Sequence, residues 1–196
     1  MTEENESPGR STRRGFLGRA SALSGLIALA GTVAEVAQPS DAFAVVAGFR
    51  SCPKCQTLWS AAPPYGNCPA GGTHEEYGSW NYSVKEQPDG GAGQTDWRIC
   101  AACECLWWSG TLAKACSGDP NGHRISSRTR PKSRYYLVEY GTVPSDGLLR
   151  QAGWKSCDNC SALYFAGPGA PPSRCPNGGA HVGVYSWAYN LRYTVS

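Results

Sequence analysis

Nine of the ten Cys and all three His of this 196-residue chain fall into one recurring pattern. The first set is Cys52, Cys55, Cys68 and His74, the second Cys100, Cys103, Cys116 and His123, the third Cys157, Cys160, Cys175 and His181. Each set reads Cys-x2-Cys, then 12 or 14 residues, Cys, then 5 or 6 residues and His. Thiolates and an imidazole at such spacing make a closed tetrahedral zinc site of Cys3His type. The tight Cys-x-x-Cys turn brings two thiolates onto one ion. Paired glycines in Cys68-Pro-Ala-Gly-Gly-Thr-His74 and Cys175-Pro-Asn-Gly-Gly-Ala-His181 permit positive φ where the second ligand pair folds back. Three structural zinc ions are expected. Catalytic zinc keeps an open position, and Cys3His fills all four.

Disulfides are the competing reading, since ten is an even number. But three Cys per set cannot pair without one left over, and pairing gives no reason for the His to share one position. Cys105 stands outside the sets, where the other copies have Thr57 and Ala162. It is expected to be a small thiol, buried or half-exposed, with a redox role beside Cys103 as the alternative.

The ligands sit in three internal repeats. Gly48-Phe49-Arg50-Ser51-Cys52, Asp96-Trp97-Arg98-Ile99-Cys100 and Gly153-Trp154-Lys155-Ser156-Cys157 align without a gap, as do Leu58-Trp59, Leu106-Trp107 and Leu163-Tyr164. Ser79-Trp80-Asn81-Tyr82 matches Ser186-Trp187-Ala188-Tyr189. In the second copy Ser117-Gly118-Asp119-Pro120-Asn121-Gly122 replaces the paired-glycine loop, and an insertion displaces the closing strand. The modules are placed at 48–87, 95–142 and 151–196, joined by Gly/Pro-rich linkers.

Short strands flank each Cys-x-x-Cys turn, the closing segment Ser186–Tyr193 alternates with period two, and no segment of 45–196 holds a helical period. The chain has 24 Gly and 14 Pro, which argues against a helix bundle or a doubly wound α/β enzyme. The expected fold is all-β, three tandem zinc-stabilised modules resembling zinc ribbons. The alternative is β-trefoil-like packing about a pseudo-threefold axis. Modules of roughly 40 residues bury too little to stand alone without metal, disulfides or a partner. Compact neighbours joined by linkers are preferred, because the linkers lack the apolar strand a trefoil needs.

Aromatic residues recur at Phe49/Trp97/Trp154, Trp59/Trp107/Tyr164 and Trp80/Trp187. The first and third sets are expected inside the modules as small cores. Trp108 and Phe165 are better surface candidates, because neighbours along a strand face opposite ways. Arg124, Arg128, Arg130, Lys132 and Arg134 form an acid-free basic run, a candidate polyanion site against the plain reading of a solvated loop. Glu75 and Glu76 have no counterpart in the other copies. No Gly-x-Ser-x-Gly, His-Glu-x-x-His or phosphate-loop pattern is present, so no enzyme is expected.

Ser11-Thr12-Arg13-Arg14-Gly15-Phe16-Leu17-Gly18 resembles the bacterial twin-arginine export signal, departing from it at Gly18. A mild Ala/Leu/Gly run follows, too short for a stable membrane span, then Ala42-Phe43-Ala44, a small-x-small cleavage pattern. The resemblance implies passage through the twin-arginine translocase, cleavage after Ala44 and a secreted or extracytoplasmic location. Removing 1–44 takes four basic and five acidic residues from 18 and 15, leaving 14 and 10. The repeats themselves resemble tandem Cys/His repeats of exported bacterial proteins. The expected role is non-catalytic binding of an extracellular glycan or polyanion, with secretion disfavouring nucleic acid. The alternative is a thiol-redox protein or enzyme built on the atypical second module.

Overall fold

The computed structural model describes residues 45–87, 91–112, 114–125 and 134–195. Arg13, Arg14 and the Ala44 cleavage position lie outside the described residues, as do Arg128, Arg130 and Lys132 of the basic run. Among the described residues there are nine strands and no helix, so the fold is all-β. The strands are β1 Val45–Ser51, β2 Leu58–Ser60, β3 Asn81–Glu86, β4 Gln94–Ile99, β5 Leu106–Trp108, β6 Tyr136–Val138, β7 Arg150–Ser156, β8 Leu163–Phe165 and β9 Tyr189–Thr194.

Each repeat contributes three strands in one arrangement. Its long first strand pairs antiparallel with the short second strand across the Cys-x-x-Cys turn, and with the third strand on its other edge. The first-to-second registers are equivalent: Phe49 opposite Ser60, Trp97 opposite Trp108, Trp154 opposite Phe165. The residue after each second Cys turns the chain: Gln56, Glu104 and Ser161 have φ of 66°, 60° and 59°. The amide of each bonds back to the carbonyl of the first Cys. Glycine would adopt this left-handed geometry more easily than these residues do. Burial of all three in the structure holds it in place.

The repeats do not stand apart as neighbours joined by linkers. They close on one another about a pseudo-threefold axis, so in packing the alternative expectation is the one observed. At one end β3 pairs with both β6 and β9, and a bridge from Tyr140 to Tyr189 joins the remaining pair. At the other end three equivalent bridges run in a cycle: Thr57–Tyr164, Cys105–Trp59 and Ala162–Trp107. Three equivalent amide bonds accompany them: Ser60 to the Glu104 carbonyl, Trp108 to that of Ser161, Phe165 to that of Gln56. All nine strands form one sheet. With three strands per repeat the fold shares the symmetry of a trefoil without an extra linker strand.

The reason lies in the size of the repeat. Three short strands present one apolar face that they cannot cover alone. Turned inward, the three faces make a single core of equivalent triplets: Phe49/Trp97/Trp154, Leu58/Leu106/Leu163, Tyr82/Tyr136/Tyr189 and Val84/Val138/Leu191. Beneath it lies a second buried cluster, made of the cysteines with Trp59, Trp107 and Tyr164. On or directly after the third strands, the equivalent positions Lys85, Glu139 and Arg192 carry opposite charges. Lys85 Nζ and Arg192 Nη2 lie 2.7 and 2.9 Å from Glu139 Oε1, and Arg150 Nε lies 3.0 Å from Oε2.

Candidate metal centres

The twelve sequence-selected residues come together as three groups of four, Cys52/Cys55/Cys68/His74, Cys100/Cys103/Cys116/His123 and Cys157/Cys160/Cys175/His181. Within each group the ligand atoms all lie within 4.8 Å of one another. First-to-third sulfur separations are 3.9, 3.7 and 3.9 Å. Second-Cys sulfur to His Nδ1 separations are 3.5, 3.4 and 3.5 Å. A regular tetrahedron with Zn–S of about 2.3 Å and Zn–N of about 2.0 Å requires S···S of about 3.8 Å and S···N of about 3.5 Å. The donor sets therefore fit such an ion, and the sulfurs lie well beyond the disulfide bonding distance of about 2.05 Å.

Local structure explains the convergence. The first two Cys of each set flank the turn between first and second strands, where the first Cys amide bonds the carbonyl five residues on. The third Cys of sites 1 and 3 opens a loop closed from Cys68 N to Gly72 O and from Cys175 N to Gly179 O, at 2.8 and 2.9 Å. Gly72 and Gly179 have φ of 66° and 67°, the conformation that favours glycine. The second copy reaches the same ligand positions by another loop: Cys116 bridges Asp119, and Gly122, at φ 97°, leads into His123.

The three sites share one electrostatic pattern. S–H donors from the second and third Cys hold the first Cys, at positions 52, 100 and 157, far below the usual thiol range, so it carries a thiolate. The second Cys is pushed up, by its bonds to the neighbouring thiols at Cys55 and Cys160 and foremost by burial at Cys103. At His74 burial opposes protonation, but the Cys52 and Cys68 groups outweigh it and raise the imidazole to about 9. A cation placed among these groups releases the protons that the thiols and His74 hold in its absence.

Two contacts escaped the sequence reading. Each candidate His ring stacks on an aromatic ring of its own second strand: His74 on Trp59 (5.3 Å, 22°), His123 on Trp107 (5.2 Å, 16°) and His181 on Tyr164 (4.8 Å, 26°). Recurrence of that aromatic in all three repeats was the available signal. The other is a hydrogen-bond loop at site 1. With Nδ1 facing the thiols, His74 Nε2–H donates to Cys105 Sγ at 3.4 Å. Cys105 donates to Thr57 Oγ1 at 3.3 Å, and Thr57 lies 2.9 Å from Cys55 Sγ, its hydroxyl returning to the same site. Nε2 of His123 and of His181 is buried without a partner among the described residues.

Other candidates divide. Phe49, Trp97 and Trp154 are core residues as expected, and Trp108 and Phe165 are half-buried. Trp80 and Trp187 correct the expectation of burial: they are 38% and 57% exposed. They lie just before β3 and β9, where each stacks on a tyrosine of another repeat, Tyr193 at 4.1 Å and Tyr140 at 4.9 Å. Glu75 and Glu76 form ion pairs with Lys54 and Arg50. Of the basic run, Arg124 pairs with Asp119 at 3.0 Å and Arg134 with Glu86. Among the described residues no helix is long and apolar enough to cross a membrane. No family model, curated protein or solved structure matches this chain, so its assignment rests on three fourfold Cys3His clusters about one pseudo-threefold axis.

Proposed function

We propose that this chain is an exported, non-catalytic repeat protein whose three Cys3His sites hold structural zinc and whose surface binds an extracellular glycan. The observation that carries the metal reading is that each cluster offers four protein ligands at tetrahedral separations. Four such ligands complete the ion's coordination and leave no position for a substrate. Support for export is the twin-arginine resemblance of residues 11–18 together with the small-x-small pattern Ala42-Phe43-Ala44. The twin-arginine translocase carries folded cargo, which allows zinc loading before passage.

Between glycan and polyanion, the contacts favour the glycan. Both described ends of the basic run are already matched by acids. The thiol-redox alternative is weakened because Cys105 is only 3% exposed and is engaged by His74 and Thr57.

The test is elemental analysis of protein from the exported fraction, with a free-thiol count and N-terminal sequencing. About three zinc per chain, loss of fold with a chelator and a terminus at Val45 are expected. No metal, few free thiols and resistance to chelators would replace the zinc sites with a disulfide scaffold.

A further inference from the structure

Between the second and third repeats lies a groove of about 430 Å³, lined by Trp108, Tyr185, Trp187, Gln94, Lys114 and Asp158 among others. We infer that this groove is the glycan site and that it takes a neutral oligosaccharide, an inference that rests on the glycan-binding reading above.

Three observations point there. The first is aromatic surface held open. Trp187 is 57% and Tyr185 91% exposed. Trp187 is fixed from one side by its stack on Tyr140, at 4.9 Å and 17°, which leaves the opposite face for a ligand. Trp108 is held by backbone: a Cβ at Gly110 would stand 2.5 Å from its ring, so only glycine admits this approach. Flat, pre-positioned aromatic faces are what the apolar C–H faces of a sugar ring pack against, at little entropic cost.

The second is the polar content. Lys114 Nζ donates to the Asp158 carbonyl, which pins the ammonium at the groove wall. Asp158 Oδ2 accepts from the Val184 amide at 2.9 Å, which orients the carboxylate. Lys114 is the one cation among the lining residues and stands beside Asp158 and Cys157, so the groove is not a basic surface that would attract a polyanion, while it offers donors and acceptors to hydroxyls that both donate and accept. Its volume is in the range of small-ligand sites.

The third is asymmetry. The positions equivalent to Trp108 are Ser60 and Phe165, and that equivalent to Tyr185 is Gly78. Among the described residues, no other junction between repeats has all three aromatics. The groove also includes Cys157, a candidate ligand of site 3, next to Asp158. The groove and site 3 therefore share one turn.

The test is isothermal titration of the metal-loaded mature chain with short, neutral N-acetylglucosamine and glucose oligomers, with sulfated heparin oligomers as the anionic probe. Binding of a neutral oligomer, weakened at least tenfold by Trp187→Ala and by Tyr185→Ala but unchanged by Trp80→Ala, is the expected result. Trp187 and Tyr185 are exposed, so folding of the variants is readily confirmed by circular dichroism. Neutral-sugar binding that survives both groove substitutions would move the site elsewhere and leave the glycan reading standing. Binding of heparin alone, or of no saccharide, would overturn both.

Discussion

Cys105 Sγ lies 3.4 Å from His74 Nε2, so a thiol of the second repeat accepts the outer N–H of a candidate metal ligand in the first. Acceptors of this kind fix the tautomer and ring orientation of a ligating His and strengthen it as a donor. Among the described residues His123 and His181 have no such partner. The three sites are therefore chemically alike and energetically unequal.

Replacing Cys105 by Ala should remove that advantage from site 1 alone. The expected effect is about a tenfold or greater loss of zinc affinity at one of the three sites, from the usual contribution of an outer partner. Stepwise transfer of zinc to a chromophoric chelator reads it. The parent should release its ions in at least two phases, with the slow phase lost in Cys105→Ala. An unchanged release profile would show that the contact does not strengthen site 1.

Metal removal should unfold the three repeats together. One sheet and one core join them, so a repeat that loses its ion exposes the apolar faces of both neighbours. A structural zinc is worth on the order of 10 kcal/mol, comparable with the entire stability of an ordinary domain. His181→Ala, which alters only site 3, should therefore lower the melting temperature of the whole chain in one transition. Calorimetry showing one repeat melting separately would contradict the shared core.

Core and rim tryptophans at repeated positions should behave differently. Trp154 is fully buried against Tyr82 and Phe165, with its Nε1 bonded to Gln151 at 3.0 Å. Trp154→Ala should cost about 3–5 kcal/mol through the cavity it leaves. Trp80, 38% exposed, should cost about 1 kcal/mol or less. Denaturant midpoints of the two variants give the comparison directly.

Glu139 supplies a pH-dependent contribution. Burial acts to raise its carboxyl, but Lys85, Arg150 and Arg192 outweigh this and hold it below the usual carboxylate range. The unfolded chain therefore binds the proton more readily, and the contribution is complete above an unfolded pKa of about 4.3. It is lost as pH falls from there through the folded value. Glu139→Gln should cost about 3 kcal/mol at neutral pH, because it leaves buried cations short of a counter-charge. The gap between variant and parent should narrow in acid, where zinc loss affects both chains. Urea midpoints for the two chains at neutral and acid pH measure this.

The sequence by itself determined the repeat and the candidate donor sets. The grouping of twelve candidate ligands by recurring spacing, the turn after each Cys-x-x-Cys, and the buried Phe49/Trp97/Trp154 set were all legible, because each depends on a few neighbouring residues. The all-β class followed from period-two alternation and the wealth of Gly and Pro. The tertiary structure decided what depends on contact between repeats. Closure about the threefold axis was hidden because it uses backbone bridges such as Thr57–Tyr164, Trp59–Cys105 and Trp107–Ala162, which do not depend on the identity of the side chain. The exposed placement of Trp80 and Trp187 was hidden for a related reason: an aromatic in an alternating strand reads the same whether it faces a core or a neighbouring repeat's tyrosine. Cys105 looked like a leftover thiol, because its partner His74 stands 31 positions away in another repeat.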